Sequence, residues 1–188
     1  MIPHIKLSTR EMSFVAVMTA LCISTNYLMI GLVNIKLMDL FVFVSGYLMG
    51  PFIGALVGVL TWLVYGTLNP YGFSLPIFFA TSLGETVYGV VGGLCARFRL
   101  EAPKSISVDD LGFWALNFKI GILGFLSTFI YDLFTNIVSG IVVGIPILVS
   151  IIMGIPFSIT HEVSNFAFFF FGGTVLISTI QNLALKGR

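Results

Sequence analysis

The chain has 188 residues, of which 57% are hydrophobic and only 9% are charged, and its net charge is +1. Because a soluble domain carries about 25% charged residues, this composition excludes an ordinary water-soluble protein and indicates an all-α membrane protein. The sequence has no basic tract or basic face, which argues against nucleic-acid binding. Cys22 and Cys95 have neither CxxC spacing nor a neighbouring Cys/His cluster, so no disulfide framework or zinc site is predicted.

Apolar runs separated by polar residues or by Gly and Pro predict about six spans in one integral membrane domain, 1–188. These spans are expected near 12–33, 38–50, 51–68, 76–97, 113–140 and 155–182. The first run lacks a signal cleavage site and is long enough to cross, so it is interpreted as a retained helix. The second is short for a crossing and must be shielded by neighbouring helices. Residues 141–154 are apolar but interrupted by Gly and Pro. They are interpreted as a helix extension plus a re-entrant or interfacial loop, with a seventh short span as the alternative.

Lys and Arg residues next to the spans predict the orientation of the chain. Six crossings bring one set of flanking basic residues to the same side: Lys6, Arg10, Arg97, Arg99, Lys104, Lys186 and Arg188. The other side keeps only Lys36. Both termini are therefore predicted to be cytoplasmic in a multi-pass protein of the cell membrane, with the segments 34–37, 69–75 and 141–154 outside.

Polar residues gather in the halves of the spans that are expected to face outside. Each charge inside a membrane costs about 2.5–3.5 kcal/mol on insertion scales, so it needs a partner, a cavity or a function. The candidate substrate-binding residues are Glu85 and Tyr88 in the fourth span, Asp132 and Asn136 in the fifth, His161, Glu162 and Asn165 in the sixth, Asn26 in the first, and Lys36, Asn69 and Tyr71 in or beside the outer loops. Their similar depth predicts a pocket that is open to the outside.

Structural alternatives stand beside this prediction. The carboxylates could pair with Lys36, His161 or backbone donors in buried networks, and the asparagines could form interhelical hydrogen bonds. The aromatic residues Trp62 and Tyr65 could be ligand walls or interface anchors. Asp132, His161 and Glu162 could form the acid–base set of an intramembrane enzyme. No HExxH motif or nucleophile elbow accompanies them, so a protein without enzymatic activity and without a cofactor is expected.

Two short motifs stand out in the first half of the chain. Ala16 and Ala20 form an Ala-x-x-x-Ala motif in the first span. A short apolar helix, the turn Gly50-Pro51 and a Gly-rich helix reaching Gly58 follow in order, and small residues at this spacing favour close helix packing. With these motifs, its size and its six spans, the chain resembles the substrate-binding S component of energy-coupling factor (ECF) vitamin transporters.

The resemblance implies an S-component-like bundle that captures a vitamin or related heteroaromatic micronutrient from outside with high affinity. Ala16 and Ala20 would then dock on a membrane scaffold subunit that works with two ATPase subunits, as in an ABC importer. The chain has no Walker motif, so energy must come from these partners. A stand-alone carrier or channel is the alternative, although no inverted repeat supports it.

The resemblance also bears on the ligand. The nickel and cobalt branch of the family has a His-rich N-terminus, whereas this chain has only His4 there, so no metal is expected. Among the candidate residues the three acids outnumber Lys36 and His161. This surplus favours a neutral or cationic nitrogen heterocycle, such as a thiamin-like or pyridoxine-like compound, over a multiply anionic ligand.

Overall fold

The structure is a computed structural model that describes residues 6–70, 72–98, 100 and 109–184. These residues form six helices and no strand: α1 (Thr9–Leu28), α2 (Met38–Met49), α3 (Pro51–Leu68), α4 (Leu75–Arg97), α5 (Leu111–Val143) and α6 (Ile147–Ala184). All except α2 are long and apolar enough to cross a membrane. The prediction of an all-α polytopic membrane bundle is confirmed.

Local sequence signals set several helix ends. Ser8 and Glu11 form a capping box at the start of α1, which satisfies backbone N–H groups that have no partner inside the helix. Gly50, with φ of 96°, separates α2 from α3, and Pro51 occupies the first turn of α3, where its missing N–H costs nothing. The Gly-Pro punctuation in the sequence therefore marks a tight turn between two helices.

The first predicted span is too long at its C-terminal side. It was expected to reach 33, but α1 ends at Leu28 and residues 29–37 form turns. Asn34 adopts a positive φ of 56° within this connection, a conformation that a helix cannot contain and that Asn tolerates better than most residues. The sequence did not predict the end of the helix at Leu28 because residues 29–33 are also mostly apolar.

Residues 141–154 were interpreted as a helix extension plus a re-entrant or interfacial loop; the extension is present, whereas the loop half is wrong because 147–154 belong to the next helix. Residues 141–143 complete α5, Gly144 caps it in the left-handed conformation with φ of 79°, and α6 already begins at Ile147. The helix then continues through Pro156. A proline is tolerated there because neighbouring helices and side chains in a membrane bundle can satisfy the backbone group that it frees.

α2 lies inside the bundle. Ten of its 12 residues are buried, and it packs against α1, α3, α4 and α6. Glycines allow this close approach: a methyl group added at Gly46 would overlap the backbone carbonyl of Gly89, and one added at Gly89 would overlap the backbone of Gly54. The neighbouring helices therefore shield α2 as its short length requires, and the glycines serve helix packing.

Consecutive helices run in alternating directions, so the odd-to-even connections lie together at one end of the bundle. These connections are residues 29–37, 69–74 and 144–146, and we call this side the loop end. The opposite side carries the turn at Gly50 and the start of α1.

Candidate functional site

A cavity of about 680 Å³ opens at the loop end, within the range of about 300–1,000 Å³ that is usual for small-molecule sites. Five helices contribute to its wall. The polar lining consists of Asn26, Asn34, Lys36, Asn69, Ser74, Thr81, Asp132, Thr135, Asn136, Ser139 and Ser158, and the aromatic lining of Trp62, Tyr65, Phe73, Phe78, Tyr131 and Phe157. Aromatic walls with a few placed polar groups are the usual content of a ligand pocket.

Five of the residues predicted to bind substrate line this cavity: Asn26, Lys36, Asn69, Asp132 and Asn136. They come from α1, the connection after it, the end of α3, and α5. The predicted site residue Tyr71 lies outside the residues that the structure describes. The convergence of loops and helix ends that the sequence predicts is therefore present at the loop end.

Lys36 supplies positive charge to the cavity wall. Its Nζ lies 5.2 Å from the ring centroid of Trp62 and 5.5 Å from that of Tyr131, which places the ammonium within cation–π range of both rings. Within the described parts of the chain, Lys36 forms no ion pair. The alternative in which Lys36 neutralises one of the carboxylates as a structural pair is thus not realised.

A buried network lies beneath the cavity and joins α2, α5 and α6. His161 is fully buried, with Nε2 2.7 Å from Oδ2 of Asp39 and Nδ1 3.0 Å from Oδ1 of Asp132. Each ring nitrogen therefore faces a carboxylate oxygen. Two aspartates on different helices therefore share one imidazole. Charged groups inside a membrane are stable only when they are paired in this way.

Amide and hydroxyl groups extend this network to α4. Asn165 donates through Nδ2 to Oδ2 of Asp39 at 2.6 Å and to Oγ1 of Thr128 at 2.7 Å. Tyr88 donates its hydroxyl to the same Thr128 oxygen at 3.0 Å. The network therefore ties four helices together by side-chain hydrogen bonds within the membrane region.

Glu85 supports the cavity wall from behind. It is 1% exposed, and its Oε2 accepts a hydrogen bond of 3.1 Å from Nε1 of Trp62. This bond fixes the plane of an indole ring that faces the cavity. Gly58 makes room for the arrangement, because a methyl group there would press on the Glu85 side chain.

Five predicted site residues do not line the cavity: Glu85, Tyr88, His161, Glu162 and Asn165. Four of them form the buried contacts just described, so the structural alternative describes their positions better than direct ligand contact. The surplus of acids behind the expectation of a neutral or cationic heterocycle is also not reproduced in the lining. Of the three acids counted in that surplus, only Asp132 faces the cavity.

Asp39 is the main residue that the sequence-based site leaves out. It lies one residue inside the predicted second span, 38–50, and it is 1% exposed inside the bundle. A lone acid inside a hydrophobic run is costly, so the sequence could have indicated that Asp39 has a partner or a function. Hydroxyl groups on the cavity wall, such as Thr135, Ser139 and Ser158, had no such signal, because single hydroxyls are common in apolar helices.

One face of α1 points away from the bundle. Ala16 and Ala20 are exposed, as is Val17 between them, with 59% of its surface accessible. Because both alanines have small side chains one helical turn apart, they leave a smooth surface on which another helix can pack.

Comparison with known proteins identifies one family. The sequence model of the family described as "ECF transporter, substrate-specific component" matches residues 10–109, which is more than half of the chain. This range contains the α1 face, Asp39, Trp62 and Glu85. No curated protein and no solved structure matches the chain.

Proposed function

Because the chain belongs to the family of ECF transporter substrate-specific components, we propose that it captures a vitamin-like heteroaromatic micronutrient from outside the cell. Capture takes place in the cavity at the loop end. Members of this family work with the other subunits of an ECF module, so the chain hands its ligand to these partners for ATP-driven uptake. The cavity is the single observation that carries this proposal.

The shape and lining of the cavity suit a flat ligand. The rings of Trp62, Tyr131 and Phe78 supply stacking surfaces, and amide and hydroxyl groups around them can fix the orientation of a heterocycle. Asn26 keeps a buried amide oxygen without a hydrogen-bond partner in the described residues.

The distribution of charge supports an orientation with the loop end outside. Lys6, Arg10, Arg97 and Lys119 all belong to the opposite half of the bundle, and basic residues concentrate on the cytoplasmic side of membrane proteins. Both termini are then cytoplasmic. The exposed α1 face with Ala16 and Ala20 is available for a membrane scaffold subunit, which in turn engages two cytoplasmic ATPases.

The ligand-binding half of the proposal is tested on the purified protein. Mass spectrometry identifies any small molecule that copurifies, and thermal shift is measured with thiamin, riboflavin, pyridoxine, nicotinate, pantothenate, biotin and folate. We expect a copurified micronutrient or a stabilising compound. A protein that carries no such molecule and responds to none of these compounds would contradict the capture function.

Two neighbouring phenylalanines provide a matched pair for placing the ligand. Phe78 lines the cavity, whereas Phe79 is 62% exposed on another face of α4. We expect Phe78→Ala to weaken binding of the identified ligand and Phe79→Ala to leave it unchanged. Equal effects of the two substitutions would place the ligand elsewhere.

Reconstitution distinguishes the proposed ECF component from a stand-alone carrier or channel. Vesicles that contain this chain alone should bind the ligand without accumulating it, and uptake should require the ECF module and ATP. Accumulation by the chain alone would select the carrier instead.

The enzyme alternative has less support. The family consists of transporter components rather than enzymes, and both ring nitrogens of His161 face carboxylates in a fully buried position. If the wild-type protein converted the ligand to a product and His161→Gln did not, the enzyme alternative would be supported. We expect altered stability or binding and no conversion of the ligand.

A further inference from the structure

We infer that the ligand of the cavity carries an anionic group, a carboxylate or a phosphate, that pairs with Lys36. This inference rests on the proposed capture function and specifies the chemistry of its substrate. It departs from the preference for a neutral or cationic heterocycle that the residue count in the sequence suggests, and it agrees with that count in disfavouring a multiply anionic ligand.

The first step concerns unsatisfied donors. An ammonium group has three N–H donors, and Lys36 makes no hydrogen bond or ion pair to any described residue. Its ammonium lies over the faces of Trp62 and Tyr131, where it borders the cavity, and it acts on the buried carboxylates of Asp39 and Glu85 only through space, without a direct contact. A ligand group that accepts hydrogen bonds with a negative charge satisfies these donors best, because charge-assisted bonds are stronger than neutral ones.

The second step concerns the negative charges. Both oxygens of Asp132 lie within 3.2 Å of the same His161 nitrogen, and Asp39 accepts from His161 and Asn165 beneath the cavity. A cationic ligand group at Asp132 would have to compete with this imidazole. The cavity therefore offers a cation without an ion-pair partner, while its one lining carboxylate is already engaged.

The third step concerns the rest of the ligand. The two rings that hold the Lys36 ammonium also form part of the cavity wall, so a flat ring bound there lies close to the same cation. A heteroaromatic ring with a single acidic substituent fits this pairing of aromatic walls with one positive charge. A multiply anionic compound would leave further charges without partners, which is costly in a site of low polarity.

The inference is tested first on the ligand side, with the wild-type protein. Affinities are measured for matched pairs of heteroaromatic compounds: nicotinate against nicotinamide, and pyridoxal phosphate against pyridoxal. The first pair probes a carboxylate and the second a phosphate. We expect the anionic member of at least one pair to bind roughly 10- to 100-fold more tightly, as the gain of one charge-assisted hydrogen bond predicts.

The protein side is tested with Lys36→Met, which keeps an unbranched side chain and removes the charge. We expect it to reduce affinity for the anionic compound by roughly 10- to 100-fold and to leave the neutral partner unchanged, with Lys36→Arg retaining most of the affinity. Lys119→Met is the control, because Lys119 is exposed on α5 about 18 Å along the helix from Tyr131.

The outcomes separate this inference from the proposed function. If a heteroaromatic ligand binds but is neutral or cationic, or if Lys36→Met binds the anion as well as wild type, the inference is overturned while the capture function stands. If no compound binds or copurifies, the capture function itself is rejected, and the inference falls with it. The comparison of matched ligands needs no variant, so poor folding of Lys36→Met would not prevent a decision.

Discussion

Nε2 of His161 lies 2.7 Å from Oδ2 of Asp39 and ties the longest helix, α6, to the shortest, α2. The same imidazole reaches Asp132 on α5 through its other nitrogen. The contact is fully buried, and it lies directly under the cavity without lining it. The network thus holds three helices in the positions that shape the floor of the site.

We expect His161→Asn to lower the free energy of unfolding by about 3 kcal/mol, because it leaves two buried carboxylates without their shared partner. The measurement is thermal or denaturant unfolding in detergent. Ser164→Ala is the control, since the Ser164 hydroxyl only returns to the backbone of its own helix. A His161→Asn variant as stable as the control would show that the network does not hold the bundle together.

We expect Gly89→Ala to destabilise the protein by at least about 1–3 kcal/mol, the usual cost of overpacking. The added methyl group meets backbone atoms of Gly54 and Ala55, which cannot move aside as a side chain could. The matched control is Gly31→Ala, where nothing lies within 4 Å of the added atom. Unfolding curves that change equally in both variants would contradict the close packing of α3 and α4.

The two tryptophans provide a spectroscopic test of where the ligand binds. Trp62 lines the cavity, whereas Trp114 stacks against Phe170 near the start of α5, about 25 Å along the helix from Tyr131. We expect ligand to change the fluorescence of Trp114→Phe as it does in wild type, and the change to disappear in Trp62→Phe. The reverse pattern would place the ligand at the other end of the bundle.

We expect Ala16→Trp and Ala20→Trp to abolish uptake with the ECF module while ligand affinity stays close to wild type. The bulky rings would prevent another helix from packing on the exposed α1 face. Leu126→Trp is the control, because Leu126 is 49% exposed on α5, far along the chain from that face. Parallel loss of binding and uptake in the alanine variants would refute a separate docking surface.

The sequence predicts the helical class because the apolar runs are long and charged residues are few. Helix ends were harder to predict, since apolar residues occur in turns as well as in helices within a membrane protein. Residues 29–33 and 144–146 show this: one stretch leaves the helix although it is apolar, and the other is a three-residue turn rather than a longer loop. Backbone angles at Asn34 and Gly144 decide these positions.

For the candidate site, the sequence predicted how deep each residue lies but not which way its side chain points. Depth along the helices brought Asp132, Asn136 and Asn26 to the end of the bundle where the cavity lies, because helical spacing fixes how far along its axis a residue lies. Depth does not determine which side chain reaches a cavity and which is covered by a neighbouring helix. His161 and Asn165 were predicted at a similar depth, but their side chains contact Asp39 in the buried network. The position of Asp39 in the interior depends on how α2 packs.

The shortness of α2 explains why there is room for a ligand. Its 12 residues extend about 18 Å, against a hydrocarbon layer of about 30 Å. Because α2 and α3 meet in the tight turn at Gly50, the start of α2 lies one to two helical turns below the end of α3. Trp62 and Tyr65 of α3, and Asn69 that caps it, line the cavity. The cavity therefore lies beyond the start of α2, at a level that α3 reaches and α2 does not, and the connection between α1 and α2 borders it there.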